Sequence, residues 1–295
     1  MEKPKALRVL VAIDDSPPAE AAIETVVKFP WPDATRLRGV VALRAGYFDS
    51  QSKALNAALE ASLQDAAASA RTALSTRWSN AEVVAINKAP TDAILGEARE
   101  LRADVIALGW RGHGTFFRLL AGSVARAVAA RAGSSILVVR TAPKTVRRFV
   151  VGFDDSPNAR RAVNLLSRLR PERGSRAVLV NVMDLIKLPR NASRLPASVR
   201  SNLRGDLVAL NKERYEQAQR ALETAASQLK RTGWTTEEEI RKGPPLEGLL
   251  AAAKAHRADI LVVGARATSG IERMLLGSVS QGALNSSPKP VLLVR

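Results

Sequence analysis

The chain of 295 residues contains no cysteine, which excludes disulfides, thiol nucleophiles and cysteine metal sites. Its two histidines are His113 and His256. No His-Glu-x-x-His helix, Walker lysine loop or Ser-His-Asp constellation is present, so no catalytic residue is assigned. No apolar run approaches the ~18 residues of a membrane span. Aromatics make up 4% of the chain, and no basic run is interleaved with stacking side chains. A platform for single-stranded nucleic acid therefore has no support. The N-terminal MEKPKALRVLVAIDDS enters a strand pattern at once, without the apolar stretch of a cleavable leader, and the expected location is the cytoplasm.

What the chain does have is basic charge. The formal net charge is +17, divided as +5 over residues 1–144 and +12 over 145–295. Such a field attracts polyanions, nucleotides among them. A basic surface that keeps the protein soluble is a better account of it than dedicated nucleic-acid binding. Hydrophobic content of 46% and charged content of 25% are those of a globular protein, and the length allows two ordinary domains.

A spaced glycine pattern occurs twice. Gly109 and Gly112 precede Gly122-Ser123, and Gly264 and Ala267 precede Gly277-Ser278 at the same spacing. Each copy leaves an apolar strand-like run (DVIALG, 104–109; DILVVG, 259–264) and enters a helix-like run. Strand, glycine-rich loop and helix N-terminus together make a phosphate cradle, because free backbone N–H groups and the helix dipole converge there. The triplet Gly112-His113-Gly114 does not extend to a dinucleotide fingerprint, since Phe117 stands where the third glycine belongs.

The repeat runs through the whole chain. VLVAIDDSP (9–17) matches FVVGFDDSP (149–157), and SSILVVR (134–140) matches KPVLLVR (289–295). The offset grows from 140 to 155, which places an insertion of about fifteen residues near 184–205. That insertion carries Lys187, Arg190, Arg194, Arg200 and Arg204. It reads either as a solvated irregular loop or as a basic flap over an anion. Each half alternates strands and helices, with first-half strands expected at 7–14, 37–44, 81–87, 104–109 and 134–140. Their near-continuous Val, Ile and Leu runs are those of parallel strands covered on both faces. The expected fold is α/β: two similar doubly wound domains, 1–143 and 144–295, each a mainly five-stranded parallel sheet between helices. The first and fourth strands of each would flank a topological switch point, where ligands sit.

With the Asp-x-Ser-Pro starts (Asp14, Ser16, Pro17; Asp154, Ser156, Pro157) and the doubled glycine loop, the chain resembles the universal stress protein family in its tandem form. The resemblance implies pairing through the last strand, with the two halves joined as an intramolecular pseudo-dimer, and in many members a bound ATP. It leaves open whether that strand edge is instead shared between chains as a homo-oligomer. It also implies a stress-responsive binding or signalling protein whose ATP hydrolysis is slow or absent.

Carried onto this chain, the resemblance gives nucleotide contacts to Ala12, Ile13, Asp14 and Leu43, and to Gly109, Gly112, Gly122, Ser123 and Val124; Arg111, in the basic loop between the glycines, is a further candidate contact. In the second half it gives Asp154, Val182, Gly264, Ala267, Gly277, Ser278 and Val279. A carboxylate at Asp14 can accept from ribose or adenine, although Asp and Ser there also suit helix capping. Gly109 would let the backbone approach the phosphates. The first half keeps the full pattern and is the stronger expected site; Ala267 reduces the second. The functional expectation is an adenine-nucleotide (ATP) binder, with Mg²⁺ arriving on the triphosphate. The alternatives are a slow ATPase or phosphotransfer protein, and a basic interaction scaffold with vestigial clefts.

Overall fold

A computed structural model of the chain describes residues 6–42, 53–79, 81–110, 123–189, 191–192, 195–265 and 276–295. The first half runs β1 (Arg8–Ile13), α1 (Pro17–Lys28), β2 (Arg36–Ala42), α2 (Lys53–Ser75), β3 (Glu82–Ile86), α3 (Pro90–Leu101), β4 (Val105–Gly109), α4 (Ser123–Arg131), β5 (Ser135–Val139). The second half repeats it as β6 (Arg148–Gly152), α5 (Pro157–Ser167), β7 (Arg176–Met183), α6 (Ala197–Lys230), β8 (Thr235–Lys242), α7 (Pro245–Ala255), β9 (Ile260–Gly264), α8 (Ser278–Ser286), β10 (Val291–Val294).

The strands form one ten-stranded sheet in the order β3-β2-β1-β4-β5-β10-β9-β6-β7-β8. Within each half neighbouring strands are parallel, as β1 with β2 and β4 and β6 with β7 and β9. Strand direction reverses once, at the midline, where β5 and β10 pair antiparallel with Leu137 opposite Leu292. The strand edge that the sequence left open to another chain is thus occupied within this one. β1 and β4 are neighbours, as are β6 and β9, so each half has its switch point.

Parallel strands with crossover helices must be covered on both faces. One face lies under α1, α2, α5 and α6, and the other under α3, α4, α7 and α8. On the first face an aromatic chain crosses the midline. Phe29 stacks on Trp31 (4.2 Å), meets Phe149 edge-on (5.6 Å), and Phe149 meets Trp234 (4.9 Å). Such pairs contribute about 0.5–1.5 kcal/mol each beyond their burial, and here they bind the halves together. Arg168, whose guanidinium is 3.3 Å from Asp104, adds a polar tie.

Helix starts follow the sequence. Ser16 and Ser156 are N-caps that accept from Ala19 N–H (3.4 Å) and Ala159 N–H (3.2 Å), each with proline in the first turn. The insertion differs from the irregular-loop reading: α6 begins at Ala197 and runs 34 residues, against 23 for α2. Pro196, just ahead of it, suits a helix start, because its missing N–H needs no intrahelical partner there. Asn211 on this helix holds the preceding segment by two hydrogen bonds, donating to Ile186 O (2.9 Å) and accepting from Ile186 N–H (3.1 Å).

Candidate functional site

A cleft of about 1220 Å³ opens at the carboxyl ends of the second-half strands. Its floor is Gly152 at the end of β6, Phe153 and Asp154 just after it, and Val263 and Gly264 at the end of β9, the two strands that flank the switch point. Val180 and Val182 of β7, with Pro245 and Leu249 of α7, form an apolar side wall. Gly277, Ser278, Val279 and Ser280, at the start of α8, complete the lining on this side.

The ends of α5 and α8 differ in a way that matters for anions. α5 has its serine cap, whereas α8 begins at Gly277 with no side-chain cap hydrogen bond. Gly277 thus supplies no side-chain oxygen to the first amides of α8, which carry the positive end of the helix dipole. Ser280 Oγ, one turn in, donates to Gly264 O (2.9 Å) and ties α8 to the strand end.

The glycines at the two β4-type strand ends answer to packing. A Cβ on Gly264 would lie 2.9 Å from the Asn158 carbonyl carbon, and one on Gly109 would lie 2.5 Å from that of Pro18. Both contacts are with the first turn of the adjacent helix. Close approach of a helix start is thus a sufficient reason for glycine at these positions, beside the expected approach of phosphate. Asn158 Nδ2 donates to Ala265 O, locking the α5 start to the same strand end.

The Asp carboxylates are partly engaged. Asp14 Oδ1 accepts from Ser16 N–H (3.0 Å) and Ser16 Oγ–H, and Asp154 Oδ1 accepts from Ser156 N–H (3.1 Å). Each turns the chain into its helix and remains exposed. The next residue, Asp155, has φ +60° and a bidentate pair with Arg160 (2.8 and 2.7 Å). The Arg160 hydrogen bonds hold its carboxyl below the ordinary carboxylate value.

Three arginines stand around the cleft. Arg161 donates to Asn158 Oδ1 (2.7 Å). Arg295, at the end of β10, donates to Ala129 O on α4; burial lowers its guanidinium pKa. Arg131 arrives from the first half with Ala130, Ala132 and Gly133, because the antiparallel β5–β10 joint brings the end of α4 to this side.

Of the residues expected in the second site, the cleft gathers Asp154, Val182, Gly264, Gly277, Ser278 and Val279; Ala267 lies outside the described residues. In the first half Ala12 and Ile13 end β1 beside Asp14, Gly109 ends β4, and Ser123 and Val124 begin α4. Leu43, Arg111, Gly112, Gly122 and His113 lie outside the described residues. His256 is remote from the cleft, at the end of α7, with Nε2 2.8 Å from Glu239. Among the described residues none of 184–205 lines the cleft, none of the acidic or histidine clusters could hold a metal, and no helix is long and apolar enough to cross a membrane.

Sequence reasoning missed Gly152 and Phe153, although the 140-residue offset from Ala12 and Ile13 signals both. It also missed Leu249, Arg161 and the contribution of α4.

A family model described as the universal stress protein family matches residues 6–140 and again 145–295. A universal stress protein of Thermus aquaticus is 28% identical over 154 residues, covering 50% of this chain and 98% of its own length. Another, MJ0531 of Methanocaldococcus jannaschii, is 31% identical over 80 residues. That match covers 27% of this chain and 47% of the relative, so the chain spans about half of that protein's length. A solved universal stress protein of Archaeoglobus fulgidus superposes with a TM-score of 0.70 at 17% identity, covering 98% of this chain and 96% of that one. At that identity the likeness is one of fold.

Proposed function

Since the chain belongs to the universal stress protein family, we propose that it binds an adenine nucleotide of the ATP class in the second-half cleft and acts as a nucleotide-linked regulator. The observation that carries this reading is the glycine-capped start of α8, which lines a switch-point cleft together with the apolar Val180, Val182 and Leu249. Val180, Val182 and Leu249 would take the base, Asp154 the ribose edge, and the amides of Ser278 and Val279 the phosphates. The equivalent first-half residues, Asp14, Gly109 and Ser123, support a second site of the same kind. The reading is binding rather than hydrolysis, because the Asp154 carboxylate already accepts the Ser156 amide and the described lining offers no other side-chain carboxylate as base. Mg²⁺ would enter on the phosphates rather than through a protein-built site.

The test is isothermal titration of ATP into the full chain and into Ser278→Asp. Asp is favoured at a helix start, so the variant folds while setting a carboxylate against the phosphates. Loss of one binding component, with affinity down at least tenfold, is expected. Unchanged ATP binding in Ser278→Asp refutes the assignment of this cleft.

A further inference from the structure

The two halves repeat in sequence, yet the cationic lining of the second cleft does not repeat. With the 155-residue offset Arg131, the last residue of α4, corresponds to Ser286, the last of α8. With the 140-residue offset Arg161 corresponds to Ala21, and its exposed neighbour Arg160 to Glu20. Arg295 and Arg140 do correspond, and they act alike. Each reaches across the midline to cap the last helix of the other half: Arg295 on Ala129 O, and Arg140 on Leu284 O (2.6 Å), Asn285 O (3.0 Å) and Ser287 O (2.8 Å). The intervening loops also carry matching arginines, Arg111 and Arg118 against Arg266 and Arg273. The difference lies in the scaffold, where the second cleft gains Arg131 and Arg161 against Ser286 and Ala21.

We infer that the second cleft is a polyphosphate-selective site, completed by a cation lent from the first half, Arg131. This rests on the nucleotide reading above and deepens it by naming the ligand's charge class. Arg131 is available for that role. Its one described ion pair, with Asp92 at 3.3 Å, leaves the two side chains 47% and 62% exposed. Such surface pairs contribute little and exchange readily for a phosphate, which a guanidinium binds through parallel N–H donors. Arg161 is exposed beside the cleft, and the buried Nε of Arg295 has no hydrogen-bond partner among the described residues. Against these three side-chain cations the described lining holds one side-chain carboxylate, Asp154. A monophosphate neutralises little of that field. A triphosphate reaches further along it and gains with each added charge.

The experiment titrates ATP, AMP and inorganic tripolyphosphate into the full chain, Arg131→Ser and Arg131→Lys, with Ser278→Asp identifying the second-cleft component. Arg131→Ser installs the residue found at the corresponding position of α8. It should weaken ATP and tripolyphosphate at that component about tenfold, the equivalent of one charge-assisted contact. On this proposal AMP should change less than about twofold, because its one phosphate would be held at the α8 amides and leave none to reach Arg131. Arg131→Lys should retain most of the ATP affinity, and the salt dependence of ATP binding should flatten in Arg131→Ser alone. Thermal unfolding of Arg131→Ser should match the wild type, since the residue is exposed. If Ser278→Asp abolishes a component whose ATP-to-AMP ratio is the same in Arg131→Ser, this inference falls while the nucleotide reading stands. If the wild-type protein takes up no ATP at all, both fall.

Discussion

Gly109→Ala separates two reasons for a glycine that a sequence cannot tell apart. The added Cβ would lie 2.5 Å from the Pro18 carbonyl carbon, 2.7 Å from its oxygen and 2.7 Å from Ala19 N. Tight but real Cβ contacts begin at 3.0 Å and ordinary ones at 3.4 Å, so the shortfall is 3.4 − 2.5 = 0.9 Å. All three neighbours are backbone of the first turn of α1, and no side chain can rotate away. Moving that turn also disturbs the Ser16 cap, which holds Ala19 N–H through both Oγ (3.4 Å) and the carbonyl (2.9 Å). Overpacking of this kind costs about 1–3 kcal/mol, a lost cap about 1, and the stiffer unfolded chain returns about 0.4–1. The net expectation is a destabilisation of about 1–3.5 kcal/mol, or roughly 2–14 °C in Tm.

Gly264→Ala, whose Cβ would meet Asn158 at 2.9 Å, should lose only about 1 kcal/mol by the same reasoning. Gly96→Ala on α3, with nothing within 4 Å, should gain up to about 1 kcal/mol as a better helix former. Urea unfolding monitored by far-UV circular dichroism gives the three values side by side. A Gly109→Ala protein as stable as Gly96→Ala, with weakened nucleotide binding, would sink the packing argument and return the glycine wholly to the ligand.

Two further expectations concern charges. Arg140→Ala removes three hydrogen bonds to the end of α8, so it should destabilise the protein by about 1–3 kcal/mol. The tryptophan emission should shift with it, since Arg140 lies 5.4 Å from the Trp110 ring; unchanged unfolding and emission would disprove the capping role. Burial pushes the Asp259 carboxyl up, but the Arg148 side chain and the Arg147 and Arg148 amides outweigh it and hold the group below its ordinary value. A carboxyl depressed in the folded state stabilises above its unfolded pKa of about 3.9 and loses that contribution as pH falls through the folded value. The stability gap between wild type and Asp259→Asn should therefore be full at neutral pH and close below about pH 4. A gap independent of pH would show that the charge is immaterial.

Much of the fold was legible because buried parallel strands have a strong signature. VLVAI, VIALG and ILVV are apolar without a break, and β1, β4 and β5 lie within a residue or so of the expected bounds. The reason for Gly109 was not legible, since the helix start that crowds it is adjacent only in space. The extension of α6 was hidden by its composition: Pro189, Pro196 and a scatter of arginines over 184–205 read as loop, and periodicity resumes only further on. Arg131 was hidden for a different reason. Its sequence neighbours belong to the first half, and only the antiparallel pairing of β5 with β10 carries it to the other cleft.

That midline pairing has a consequence for the protein at low abundance. In an assembly of separate subunits a seam of this kind opens on dilution, because mass action governs it. Here the two partners share one backbone, and the short tether 140–147 keeps them at an effective concentration that no dilution can lower. The sheet should therefore stay continuous, with its melting temperature indifferent to protein concentration, however few copies a cell contains.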